Sequence, residues 1–348
     1  MNKLRMGIIG TGGIAQGRHI PAYLKLADQV TITAISDVDE QRASMVAEQF
    51  GIPKIYSDYQ DMFNDVDAVT ICTPNRFHAE MAINALNAGL HVLCEKPMAM
   101  NTEEALLMKE AAERNGKILT IGYHYRFMKE PQAAKKLLLQ GEIGEPFVSR
   151  VQALRRRKVP GWGVFTNKAL QGGGSLIDYG CHFLDLSLWL MGNPEPVEII
   201  GTSYNRLSKM PNQVNLWGDF DHNTFDVDDH VTAYIKFENG ASLFFETSWA
   251  ANIKEDVEAV SISGEFGGID VFPFHLNQAK NGMLLNSTPD WLTGEDDPGL
   301  PQARNFINSC LGLEKPIVTA DEAIHVTKII DAIYKSSEQG RSIRLKEE

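Results

Sequence analysis

The stretch LRMGIIGTGGIA, Leu4–Ala15, runs an apolar strand directly into a glycine-rich turn that opens a helix. Gly10 permits the tight turn, Gly12 lets a phosphate approach the backbone, and Ala15 is small enough for the helix to pack on the strand. With Gly13 and Ile14 the turn presents a helix N-terminus, whose free N–H groups and positive dipole end favour a pyrophosphate. Glycines alone are weak evidence. Here they follow an N-terminal strand and are answered about twenty residues on by Asp37, at the end of the second strand. A carboxylate there bonds the ribose 2′-hydroxyl and repels a 2′-phosphate. NAD is therefore expected ahead of NADP, which Arg42 nearby leaves open.

Outward from this turn, apolar runs at Val30–Ile35, Ala68–Ile71, His91–Cys94 and Ile118–Ile121 read as further buried parallel strands. Helix-length segments lie between them at Asp39–Phe50, Phe77–Ala88 and Thr102–Asn115. The last has Asn101 as N-cap and Glu104 three residues on, a capping-box arrangement. This alternation predicts a doubly wound α/β sheet, which binds ligands at the carboxyl ends of its strands. Two segments lie at such ends: Thr73-Pro74-Asn75 with His78, and Glu95-Lys96. All six are candidate cofactor contacts. A lysine at that strand end reaches into the nicotinamide crevice, where its charge can polarise a reacting oxygen.

The second informative stretch is GGGSLIDYGCHFLDL, Gly172–Leu186. Read as one helix, it is apolar nearly all round except for a line through Asp178, His182 and Asp185. An isolated aspartate–histidine pair one turn apart is an ordinary structural hydrogen bond. Beside a dinucleotide site the pair acquires chemistry, because a carboxylate can orient an imidazole that serves as general base. Asp185, one turn deeper, reads as structural support.

Composition bounds the alternatives. The 348 residues suffice for two domains, with 43% hydrophobic and 22% charged residues. A net charge of −12 argues against a nucleic-acid partner. No apolar run approaches the length of a membrane span or signal peptide, which predicts a cytoplasmic protein. Cys72, Cys94, Cys181 and Cys310 are scattered without metal-ligand spacing, so neither a disulfide nor a metal site is expected.

With GTGGIA (10–15), CTPN and His78 (72–78), EKP (95–97), GGGSLIDYGCH (172–182) and a tail from Pro316 to EQGRSI (338–343), the chain resembles the glucose–fructose oxidoreductase/inositol dehydrogenase (Gfo/Idh/MocA) family of NAD(P)-dependent oxidoreductases. The resemblance implies a Rossmann domain over 1–122. It also implies a larger α/β domain over 123–348, built on an open, mainly antiparallel sheet, with the terminal helix packing back toward the first domain. Independently, Pro146–Arg157, Val231–Phe237 and Ala241–Trp249 read as strands, the last two joined by a tight Asn239-Gly240 hairpin. A broad sheet uncovered on one face needs a partner, so a homodimer or homotetramer is expected. By resemblance, Lys96, Asp178 and His182 correspond to the catalytic lysine, aspartate and histidine, and no metal is needed.

The substrate implied is a sugar, glycoside or cyclitol hydroxyl. Asp178 and His182 would contact it, with Arg155 and Arg157 sharing one face of a strand. Trp162, in the loop Val159-Pro-Gly-Trp-Gly163, and Arg126, where the chain leaves the first domain, complete the candidates; His275 is a weaker one. Two other activities stay open: a redox-neutral glycosidase using NAD transiently, and a non-catalytic NAD-binding regulator on the same fold.

Overall fold

The apolar segments of the first third pair in register as a six-stranded parallel sheet. Its strands are β1 (Leu4–Ile9), β2 (Val30–Ser36), β3 (Lys54–Tyr56), β4 (Ala68–Ile71), β5 (His91–Cys94) and β6 (Leu119–Ile121). Their order, β3-β2-β1-β4-β5-β6, is the doubly wound one expected. Such a sheet is covered on both faces, hence the continuous burial of β4 and β6. The computed structural model that shows this describes residues 3–345.

Helices α1 (Ile20–Leu24), α2 (Glu40–Phe50), α3 (His78–Asn87) and α4 (Thr102–Asn115) lie between the strands. The expected cap forms at α4, where Asn101 Oδ1 accepts from the Glu104 N–H at 2.9 Å. Glu104 reaches back one residue further than a capping box does, accepting from the Met100 N–H. β3 has no apolar signature, because its residues are exposed or half-exposed.

The chain groups into two compact units. Unit one runs through Phe127, a few residues past the expected break at 122/123, and takes back Glu295–Ile324. That return carries α8 (Gly299–Cys310), whose Ala303, Phe306 and Ile307 are buried in one cluster with Met6, Ile8, Ile20 and Ile35.

Unit two comprises Met128–Gly294 and the chain from His325 onward. Its strands are β7 (Pro146–Leu154), β8 (Pro196–Tyr204), β9 (His230–Phe237), β10 (Ser242–Ser248), β11 (Val257–Gly264), β12 (Gly267–Asp270), β13 (His275–Lys280), β14 (Met283–Ser287) and β15 (Ile343–Arg344). They form one sheet in the order β14-β13-β12-β11-β7-β10-β9-β8-β15. Every pairing is antiparallel except β7 with β10. The Asn239-Gly240 hairpin is present, with Gly240 at φ +84°.

Along β7 and β10 the residues alternate in burial: Val151, Ala153, Leu243 and Phe245 face inward, while Arg150, Gln152 and Phe244 are exposed. Helices α5 (Lys129–Leu139), α6 (Lys168–Gln171) and α7 (Cys181–Leu190) complete this part, with α9 (Ala320–Gln339) near the C-terminus. All ten residues of α7 are buried, and Ser187 Oγ lies 2.7 Å from Ser149 Oγ on β7. No helix among the described residues is long and apolar enough to cross a membrane.

Candidate active site

In unit one the glycine turn is shaped by what surrounds it. Gly10 has φ +87°, and a Cβ there would lie 2.8 Å from the Cys72 carbonyl oxygen at the end of β4. Nothing lies within 4 Å of a Cβ built on Gly12 or Gly13. A dinucleotide phosphate therefore meets only backbone there, at the start of the helical stretch from Gly13 through Ile14, and the residues fit the cofactor.

Asp37 ties this turn to β2. Its carboxylate accepts from the Thr11 N–H at 2.7 Å and the Thr11 hydroxyl at 2.8 Å, and pairs with Arg42 Nη2 at 2.6 Å. Burial pushes its pKa up, but the bonds from Arg42, the Asp39 N–H and Thr11 outweigh this and hold it below the usual range. Arg42, the residue that left NADP open, is thus engaged by the acid that favours NAD.

Thr73 and Pro74 lead into a short turn with buried Asn75, at the end of β4. His78, expected as a cofactor contact, is engaged by the two loops themselves. It is fully buried, with Nδ1 2.8 Å from the Pro97 carbonyl and Nε2 2.9 Å from the Thr73 carbonyl. Burial lowers its pKa. From the first turn of α3 it braces the two loops against each other.

Glu95 is likewise an anchor. His19 Nε2 lies 2.7 Å from Glu95 Oε1, and the Lys96 N–H donates to Oε2 at 3.1 Å. Burial opposes ionisation, yet the His19 bond and the charges of His19, Arg18 and Lys96 bring its pKa down to about 2. Gly122 makes room for it, since a Cβ there would lie 3.0 Å from Glu95 Oε2. Lys96 is half-buried at the end of β5, directly beyond this anchor.

Arg126, expected among the substrate contacts, is engaged within unit one. It is fully buried in unit one and donates to the Ile317 carbonyl at 3.0 Å and Glu322 Oε2 at 2.5 Å, bracing the returning segment.

In unit two, Gly172–Leu186 is not one continuous α-helix. Gly172 ends α6 at φ +82°, and Leu176–Gly180 forms a wide π-type turn before α7. Such a turn changes the angular spacing of the polar line expected from α-periodicity, and insertions of this kind concentrate at functional sites. Asp178 sits within it, with Oδ2 accepting from Trp249 Nε1 at 3.1 Å. His182 follows in the first turn of α7 and is 6% exposed, whereas Asp185 is fully buried.

What shapes the turn is Asp228. Its Oδ1 accepts from the Gly174 N–H (2.8 Å) and the Tyr334 hydroxyl (2.7 Å), and its Oδ2 from the Ser175 hydroxyl (2.8 Å) and the Leu176 N–H (2.9 Å). The glycines follow from the same packing. A Cβ on Gly173 would lie 2.0 Å from the Tyr334 hydroxyl, and one on Gly174 2.0 Å from the Asp228 carbonyl.

Arg155 and Arg157 part company. β7 ends at Leu154, so the two do not share a strand face. Arg155 places its guanidinium carbon 3.7 Å from the Tyr179 ring centroid and 4.5 Å from that of Trp217. Arg157 instead donates to the Ala251 carbonyl at 2.7 Å and Asn252 Oδ1 at 2.5 Å. Trp162 is exposed, with its ring 5.4 Å from that of Trp217. His275 opens β13, its Nδ1 3.0 Å from the Pro273 carbonyl.

The model of the oxidoreductase family with NAD-binding Rossmann fold matches residues 4–123, and that of its C-terminal α/β domain matches residues 135–345. The chain belongs to this Gfo/Idh/MocA oxidoreductase family. Among its relatives is the D-glucoside 3-dehydrogenase of Escherichia coli (strain K12), 36% identical over 98% of this chain and 97% of the relative. Another is the glucose-6-phosphate 3-dehydrogenase of Bacillus subtilis (strain 168), 30% identical over 88% of each. The crystal structure of aldose-aldose oxidoreductase from Caulobacter crescentus superposes with a TM-score of 0.83 at 25% identity, covering 99% of this chain and 100% of that one. The chain is thus a Gfo/Idh/MocA enzyme, an oxidoreductase with NAD as cofactor.

Sequence reasoning missed Asp228, Tyr334, Trp217 and Trp249, all distant in sequence from what they touch. It also missed the pair in which Arg18 Nη1 lies 2.9 Å from His124 Nδ1. A guanidinium only donates, so Nδ1 is the acceptor. Burial and then the Arg18 charge push the His124 pKa down to about 3.

Proposed function

We propose that this enzyme oxidises a secondary hydroxyl of a sugar, glycoside or cyclitol, with His182 as base. The observation that carries the reading is Asp178 on a turn that Asp228 holds by four hydrogen bonds, with His182 four residues on at the start of α7. The E. coli relative's name, a glucoside 3-dehydrogenase, supports this substrate class.

NAD, when bound, supplies the hydride acceptor. His182 takes the hydroxyl proton as the carbon–hydrogen bond breaks, Asp178 stabilises the imidazolium, and Lys96 bonds the reacting oxygen. Aspartate is positioned for this by the Trp249 indole N–H, which holds one of its carboxylate oxygens. General-base help of this kind contributes about two to four orders of magnitude in rate. Arg155, against the Tyr179 ring, joins the substrate wall. The sheet face bearing Ile200, Tyr234 and Phe244 in one cross-strand row is the surface on which a second copy packs.

The test is NADH formation by the purified chain across a panel of sugars, glycosides and inositols. His182→Ala loses turnover by about two orders of magnitude or more while NAD still binds. Full activity in that variant sinks the assignment. Release of free sugar from an aryl glycoside without net NADH marks the redox-neutral alternative.

A further inference from the structure

Trp162 and Trp217 stand out among the described residues as two adjacent indoles left 53% and 37% exposed. They come from different loops, yet their ring centroids are 5.4 Å apart at 47°. Adjacent exposed aromatic rings mark a surface that something covers, since they leave apolar area in water.

The backbone holding them is pinned. The Asn215 side chain accepts from the Val159 N–H at 2.9 Å and donates to the Val159 carbonyl at 2.9 Å and the Gly218 carbonyl at 2.7 Å. The Leu216 N–H donates to the Arg157 carbonyl at 2.9 Å. Beside Trp162, a Cβ on Gly161 would lie 2.6 Å from the Asp219 carbonyl, so only glycine allows the two loops this approach. Both indoles are thus preorganised before anything binds, which lowers the cost of binding.

The indoles are also connected to the reacting pair. Arg155 is sandwiched between Trp217 and Tyr179, and Tyr179 directly follows Asp178. A layered series, Tyr179–Arg155–Trp217–Trp162, therefore joins the indoles to the residue that follows Asp178 in the chain.

We propose that Trp162 and Trp217 form a stacking subsite for a second ring, the aglycone or neighbouring sugar of a glycoside. This rests on the hydroxyl-oxidation reading above and names the part of the substrate that reading leaves open. Sugar and aryl rings both present a flat, weakly polar face that stacks on an indole, whereas a methyl aglycone does not reach it.

The experiment compares phenyl glucoside with methyl glucoside of the same anomer, on the full chain with NAD. Trp162→Ala raises KM for phenyl glucoside about ten-fold and leaves KM for methyl glucoside within about two-fold, with kcat little changed. Trp162→Phe recovers part of the loss, and Trp217→Phe, which preserves a ring against Arg155, behaves alike. Equal changes for both glucosides, or none for either, overturn the subsite. Quenching of tryptophan fluorescence by phenyl glucoside provides a readout that needs no turnover. If neither glucoside is oxidised but Trp162-dependent quenching persists, the subsite stands and the oxidation reading fails. Absence of both turnover and quenching removes the subsite as well.

Discussion

Replacing Asp228 with asparagine tests whether one carboxylate shapes the turn that carries Asp178. In the wild-type chain its two oxygens accept four hydrogen bonds, two from the backbone N–H groups of Gly174 and Leu176 and two from the hydroxyls of Ser175 and Tyr334. An amide keeps one acceptor oxygen and turns the other into a donor. Ser175 or Tyr334 can rotate to accept from it, but one backbone N–H then faces an NH2 group whichever way the amide is placed. An orphaned buried donor costs about 1–3 kcal/mol, and the remaining bonds lose their charge assistance, so about 3–4 kcal/mol in total is expected. At about 2–4 °C per kcal/mol for a domain of this size, the melting temperature drops by about 6–16 °C in differential scanning calorimetry. Turnover falls by about ten- to a hundred-fold, since a base displaced by an ångström is a poor one. NAD affinity measured by titration calorimetry stays unchanged, because Asp228 belongs to the unit without the glycine turn. A variant melting within about a degree of the parent, with unaltered kcat, would falsify the clamp.

Gly10→Ala places a side chain at φ +87° and 2.8 Å from the Cys72 carbonyl, so NAD binding weakens by about ten-fold or more in titration calorimetry. Normal binding would mean that the turn has room the geometry denies it. Asp37→Ala releases Arg42 and removes the charge that repels a 2′-phosphate, so NAD weakens while NADP gains. A side-by-side titration with the two cofactors checks this, and an unchanged ratio counts against it. His124 and Glu95 set the acid response, with folded pKa values of about 3 and about 2. Both lie below their unfolded values of about 6.5 and 4.3, so the unfolded chain binds more protons in each window. Stability is therefore full above about pH 6.5 and falls as pH drops toward 3 for His124, with Glu95 adding its loss below about 4.3. Melting temperatures measured from pH 7 to 4 should decline, and His124→Asn should flatten the first part; a flat wild-type profile contradicts both assignments.

Local patterns carried much of the architecture. β1, β4 and β5 begin and end where their apolar runs do, because strands covered on both faces are mostly apolar, with Arg5, Thr70 and His91 the exceptions. The edge strand β3 escaped, since a half-exposed edge has no such constraint. Within the site, Gly10 and Asp37 were legible because a tight turn and a nearby acid impose residue types at short spacing. For His78 and Glu95, spacing gave the position but not the partners, which are the Pro97 and Thr73 carbonyls for one and His19 for the other. Spacing locates a Cα, whereas the face a side chain takes depends on which carbonyls and charges surround it.

The sequence by itself determined the parallel sheet, the glycine turn, Lys96 at a strand end and the Asp178–His182 spacing, all of which follow from steric rules acting over a few residues. Tertiary structure decided the rest. It turned Arg126 and Arg157 into braces, ended β7 before Arg155, and inserted a wide turn under Asp178. It also brought Asp228, Tyr334 and Trp249 to that turn, and Trp217 to Arg155, from distant parts of the chain. Hydrogen bonds and ring contacts act over a few ångströms of space regardless of separation along the chain, so no local pattern records them.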